Sequence, residues 1–206
     1  MGARTITVVR LLLGLAYLIN GLNWFFKIIT PYPSMSDFVH FKPPPDIVGA
    51  LIDNGILFPM AKATELITGV LLLCNRFVPL SLVLAMSVTV PVFVVDAFRP
   101  HPHLRAVLMG TGSFTMNVFL LLAYFGHFRT LFEARTQPGM NPPTSPAGRG
   151  GRLGAGIAAV AGPVMPWLGL LSAALGLAMV SWLAVMIVEY AIDPLPISAV
   201  HRLEPR

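Results

Sequence analysis

The sequence predicts an all-α integral membrane protein: a four-helix bundle plus a fifth transmembrane helix that follows a flexible linker. Three observations carry this. Of 206 residues, 55 % are hydrophobic and only 11 % are charged, whereas a soluble domain carries about 25 % charged residues. The mean hydropathy is +0.75, so the chain lacks the polar groups to cover a water-facing surface. Five stretches approach the length of about 20 mostly apolar residues that crosses a bilayer.

The first stretch covers roughly 6–29. Arg10 interrupts it and no small-residue cleavage site stands out, so it reads as a retained span rather than a signal peptide. The second covers 57–74 and the third 77–98, separated only by a tight turn at Asn75 and Arg76. The fourth, 106–125, follows the turn RPHPHLR. Short turns force antiparallel neighbours, so spans two to four should form an up-down bundle with span one. The first loop is longer. Pro43, Pro44 and Pro45 bar a helix there, but DIVGALIDNG, residues 46–55, shows short helical spacing and suits a surface helix, a lid over the bundle, or the first turns of span two. Residues 134–154 read as a Pro/Gly-rich linker. Residues 155–192 then form an interfacial entry and a fifth span at 166–190, and 193–206 form a tail. The bundle itself occupies 1–133.

The formal net charge of +5 and the pI near 9.9 come from basic residues flanking apolar spans, which is a topology signal rather than a nucleic-acid one. Arg4, Arg10, Arg76, Arg129, Arg135, Arg149 and Arg152 fall on the side of the N-terminus. Lys27, Lys42, Arg99, Arg105, Arg202 and Arg206 fall on the other. The excess predicts a cytoplasmic N-terminus. The lone cysteine, Cys74, excludes an internal disulfide and a cysteine-built metal site. His101 and His103 flank a proline in a turn without a third ligand nearby, so no metal is expected. His40 and His127 sit outside the spans, which disfavours haem.

Polar residues inside hydrocarbon are costly, hence informative. Lys62, Glu65, Gly69 and Leu72 share one helical stripe. Arg10, Gly14, Tyr17, Gly21 and Trp24 share another, with Asn20 and Asn23 beside it. Gly110, Ser113, Asn117 and Tyr124 mark span four, and Asp96 ends span three. Counted from Leu57, Lys62 lies about 7 Å and Glu65 about 12 Å deep, at about 1.5 Å per residue. Lys62 can snorkel. Glu65 must pair or hold a proton, because a mid-span charge costs about 2.5–3.5 kcal/mol. An outward-facing polar pocket lined by Asn20, Asn23, Lys62, Glu65, Asp96 and Asn117 follows, suited to a small polar head group such as a quinone ring. The same residues equally suit an interhelical polar clamp. In span five, Gly169, Ala173 and Gly176 leave a small-residue groove for docking on another helix, of this chain or of a partner.

RLLLGLAYLINGLNWFF, residues 10–26, followed by AKATELITGVLLLCNRFVPL, residues 61–80, resembles the DoxX-like membrane proteins. The residues that carry the resemblance are Arg10, Gly14, Gly21, Lys62, Glu65, Gly69, Arg76 and Pro79, and it spans roughly 5–133. It implies a four-helix core, a companion role for redox enzymes, and a bacterial cytoplasmic membrane. The linker and fifth helix depart from the family pattern. The absence of cysteines suited to sulfur relay argues against a thiosulfate role. Two functions follow as expectations. One is an accessory subunit of a membrane redox or energy-converting complex, docked to other membrane subunits through the fifth helix and surrounded by lipid, with quinone as the ligand if there is one. The other is a quinone-linked oxidoreductase with Glu65 as proton acceptor and candidate catalytic residue. A transporter has less support, because no inverted repeat or broken helix pair is visible.

Overall fold

A computed structural model describes residues 2–26, 28–29, 51, 54–98, 104–132 and 149–192. The lid segment, the histidines at 40, 101 and 103, most of the linker and the C-terminal tail lie outside the described residues. Among the described residues, five helices of four turns or more follow in order: α1 (Ala3–Phe26), α2 (Leu57–Leu73), α3 (Val78–Ala97), α4 (Leu104–Ala123) and α5 (Arg149–Ile192). A 3-10 segment, Phe125–Phe132, follows α4. Four of the helices are long and apolar enough to cross a membrane, and α2, at 17 residues, sits at the lower limit. The chain is a helical integral membrane protein.

The helices form a ring in the order α1, α2, α3, α4, with α5 seated in the groove between α1 and α4. Helix α1 is the centre. Its Val9, Leu13, Ala16 and Tyr17 are buried against Leu72, Leu82, Met116, Phe119 and Met179. The faces turned away carry bare Val8, Leu11, Ile67, Val70, Val83, Val94, Leu170 and Val185, as lipid-facing surfaces should.

Glycines set the tightest crossing. A β-carbon on Gly69 would sit 2.6 Å from the backbone nitrogen of Leu18, and one on Gly21 would sit 2.9 Å from that of Leu66. Gly14 faces the Gly69 carbonyl at 3.2 Å by the same measure. The two backbones therefore touch from Gly14 to Gly21 of α1, the arrangement that small residues permit between membrane helices. The turn from α2 to α3 is closed by two residues in the left-handed region, Asn75 (φ 55°) and Phe77 (φ 49°). Asparagine adopts this conformation readily; a bulky aromatic does so only when its surroundings impose it. Arg76 N–H donates to the Leu71 carbonyl at 2.9 Å inside that turn.

Helix α5 differs from the expected element. It begins at Arg149, so residues 149–154, read as linker, are helical, and residues 155–165 continue into the span without a break. The last linker proline is Pro146, and nothing after it bars a helix until Pro163 and Pro166, which lie inside α5. Helices at membrane depth tolerate such prolines. The small-residue groove of α5 is occupied by its own chain. Gly176 lies against Met116 and Leu12, and Ser172 Oγ donates to the Thr115 carbonyl at 3.5 Å.

The crossing predicts a contrast between two glycines. Gly69→Ala should destabilise the detergent-solubilised protein by about 1–3 kcal/mol, the usual cost of overpacking. Gly162→Ala, where an added β-carbon meets nothing within 4 Å, should be neutral or stabilising by up to about 1 kcal/mol. Thermal unfolding in one detergent reads both.

Candidate functional site

The site is built on the α1–α2 crossing. Lys62 and Glu65 stand three residues apart on α2, one turn along the same face. Asn54 Oδ1 accepts the Leu57 N–H at 3.1 Å just before α2 begins. The glycine-mediated approach of α1 then brings Asn20 alongside. Lys62 Nζ lies 3.1 and 3.0 Å from the two oxygens of Glu65, and Asn20 Nδ2 donates to Oε2 at 2.7 Å. Lys62 and Glu65 are only 5 % and 4 % exposed. The Lys62 ammonium also sits 5.3 Å from the centroid of the Phe58 ring, which Trp24 meets edge-on at 4.6 Å. The ring's negative face adds to the neutralisation of the cation. The result is a buried, charge-balanced cluster at the contact of α1 and α2.

Asn23, one turn beyond Asn20, does a different job with one end of its amide. Its Oδ1 accepts the Ile29 N–H at 2.6 Å and holds the chain as it leaves α1. Its Nδ2 is buried and has no hydrogen-bond partner among the described residues. A buried donor left unpaired costs about 1–3 kcal/mol, so this amide stands out beside the cluster.

The other two residues of the proposed lining belong to separate places. Asn117 of α4 lies in the centre of the bundle, where its Nδ2 faces the Tyr17 hydroxyl and Thr89 Oγ1, each at 3.4 Å. Tyr17 and Thr89 share a hydrogen bond of 2.5 Å. This triad ties α1, α3 and α4 together. Asp96 is half-buried against Gly110, where a β-carbon would meet it at 2.7 Å. It marks the α3–α4 contact, beside the Phe93–Phe114 stack with centroids 4.4 Å apart.

Sequence reasoning passed over two functional contributions. Thr89 carries no periodic signal, since a threonine in an apolar span usually bonds its own helix. Thr89 does that too, donating to the Ala85 carbonyl at 2.8 Å. Arg10 was placed on the right stripe without a partner. It is buried and donates from Nη1 to the Leu72 carbonyl. That carbonyl belongs to the last turn of α2, where it also accepts the Asn75 N–H at 3.2 Å and where the negative end of the helix dipole favours a cation. The spacing of Arg10 to Gly14 and of Gly69 to Leu72, on antiparallel helices, was the available clue.

The DoxX family model matches residues 5–97. The match covers α1, α2 and α3 and therefore the whole Lys62–Glu65–Asn20 cluster, and it ends before α4. No curated protein and no solved structure matches the chain.

Pairing inside the cluster predicts a thermodynamic cycle. Lys62→Met alone should cost about 3–5 kcal/mol, because it strands the Glu65 charge. Lys62→Met combined with Glu65→Gln should recover most of that loss, since neither charge remains. Unfolding of the three proteins in detergent, with equal losses for the single and double variants, would rule out the neutralising role. Thr89→Val should cost only about 0.5–1.5 kcal/mol, the worth of one hydrogen bond, on the same measurement.

Proposed function

Starting from a DoxX-like membrane protein whose family match spans residues 5–97, we propose that this chain is an accessory subunit of a membrane redox or energy-converting complex. Its buried Lys62–Glu65–Asn20 cluster receives a small polar head group, a quinone ring being the chemistry that fits best. The observation that supports this is a charge-balanced cluster with one spare donor. A quinone carbonyl accepts N–H bonds, and the unpaired Nδ2 of Asn23 lies one helical turn from Asn20. Asn20, Asn23 and Lys62 would hold the ring from one side. A bound quinone supplies electron transfer coupled to proton uptake. Glu65 is the carboxylate that would stand next to it, with its oxygens held by the Lys62 ammonium and the Asn20 amide.

The subunit role fits the outer surface. Helix α5 fills its small-residue groove with its own bundle, so a partner would meet the opposite face, where Trp167, Leu170, Leu177 and Val188 are bare. A bacterial cytoplasmic membrane and a cytoplasmic N-terminus are the setting this reading adopts.

Affinity purification in mild detergent tests both parts. Wild type should bring down partner subunits in fixed ratio, together with quinone. The pair Lys62→Met and Glu65→Gln, which removes both charges together, should keep the partners and reduce bound quinone about tenfold or more. Loss of partners and of bundle stability together would make the cluster a structural clamp. A lone protein that reduces quinone would make the chain an oxidoreductase instead.

A further inference from the structure

Among the described residues the bundle buries three charged side chains, Arg10, Lys62 and Glu65. Lys62 and Glu65 balance each other. Arg10 has no such balance. It is only 7 % exposed, an arginine stays protonated in any protein environment, and its hydrogen bond runs from Nη1 to the Leu72 carbonyl. No carboxylate of the described residues pairs with it. A full positive charge is therefore buried against a carbonyl dipole, an arrangement that hydrocarbon penalises strongly.

The rest of the guanidinium has a direction. Among the described residues, the buried polar side-chain atoms left without a partner are Asn23 Nδ2 and Asn117 Oδ1. Nε and Nη2 of Arg10 make no hydrogen bond there and are not sealed, so they open on the protein surface. These two nitrogens form one edge of the planar group, and such an edge meets two oxygens of an anion at once. The Leu72 carbonyl occupies Nη1 instead. The guanidinium would thus stand between that carbonyl and an incoming anion, and screen one from the other.

The level of this edge selects the anion. Leu72 is the second-last residue of α2, and the turn that follows, residues 74–77, is exposed. On the other side of Arg10, toward the start of the chain, α1 carries Arg4 and Thr7, both exposed. The edge lies about one turn inside this polar boundary, where lipid phosphates are within reach. Arg4 and Arg76 add positive charge to the same face, and no Asp or Glu stands in the first three turns of α1 or in the turn after α2. Basic groups at a membrane surface attract anionic head groups.

We propose that the Nε–Nη2 edge of Arg10 binds the oxygens of a phosphate group at the membrane face where the chain begins, supplied by an anionic phospholipid or by free phosphate. The bound phosphate completes the neutralisation that the Leu72 carbonyl begins. The site is separate from the polar cluster, since Arg10 lies ten residues before Asn20 on α1, about 15 Å along the axis.

The test follows thermal unfolding of the full chain, purified in neutral detergent and stripped of lipid. The additions are phosphatidylglycerol, diacylglycerol with the same acyl chains, and inorganic phosphate against chloride at equal ionic strength. A ligand of the folded state raises the midpoint, and saturating phosphatidylglycerol should raise that of wild type by about 5 °C or more. Diacylglycerol should give less than half of that rise. A rise with phosphatidylglycerol and not with inorganic phosphate identifies a lipid site; a rise with inorganic phosphate identifies free phosphate as sufficient. Arg10→Gln should lose the phosphate-dependent part of the shift. Arg10→Lys, which keeps the charge but not the two-nitrogen edge, should keep a fraction of it. Arg4→Gln, at an exposed arginine of the same face, should respond as wild type does. Equal effects of phosphatidylglycerol and diacylglycerol, with none from inorganic phosphate, overturn the proposal. So does a full response in Arg10→Gln, or a loss in Arg4→Gln as complete as in Arg10→Gln. If Arg10→Gln does not fold, the three additions to wild type and the response of Arg10→Lys decide.

Discussion

The constraint on which this fold depends is a single carboxylate that cannot be left alone in hydrocarbon. Glu65 lies well inside α2, too deep and too short to reach the interface, so its charge must be balanced where it stands. Lys62 supplies the balance from its own helix, and Asn20 supplies a hydrogen bond from the next. The asparagine bond exists only because Gly14, Gly21 and Gly69 let α1 and α2 touch backbone to backbone. The same contact brings Arg10 under the end of α2, where it caps the Leu72 carbonyl. Electrostatics and packing are thus one device here: the glycines set a distance, and the polar side chains use it at both ends of the crossing.

The second polar tie does for α3 and α4 what the first does for α2. Tyr17, Thr89 and Asn117 meet in the middle of the bundle, each from a different helix. Van der Waals contact alone specifies helix register weakly in lipid, where the surrounding solvent is as apolar as the core. Two hydrogen-bonded groups at different depths fix both the rotation and the vertical position of α1, the helix that shares surface with α2, α4 and α5. Met116 and Met179, each against a glycine of the neighbouring helix, fill what remains with flexible side chains.

Much of this was legible in the residues. Spans of apolar composition separated by tight turns gave the helices and their antiparallel order. The depth of Glu65 gave its need for Lys62 and a neighbouring amide, and the stripe containing Arg10, Gly14 and Gly21 gave the face of α1 that packs. The proposed six-residue lining was only partly assembled, for a physical reason. Asn117 and Asp96 share depth or polarity with the cluster but belong to helices that face other neighbours, and rotation about a helix axis is set by packing that no single helix records. Thr89 was invisible because its hydroxyl serves its own backbone and a neighbour at once. The start of α5 was misplaced because Gly-Arg repeats look like linker by composition. Once the prolines end at Pro146 the backbone is free to coil, and packing beside α4 decides that it does.

The shortness of α2 reaches beyond the protein. Its 17 residues rise about 26 Å, whereas α1 rises about 36 Å and a typical hydrocarbon layer measures about 30 Å. Met60, Ile67 and Val70 face outward along α2, so acyl chains on that flank must compress or tilt to match it while those beside α1 need not. The protein imposes a lopsided thickness on the lipid around it, and a bilayer that is thin from the outset accommodates that flank at least elastic cost.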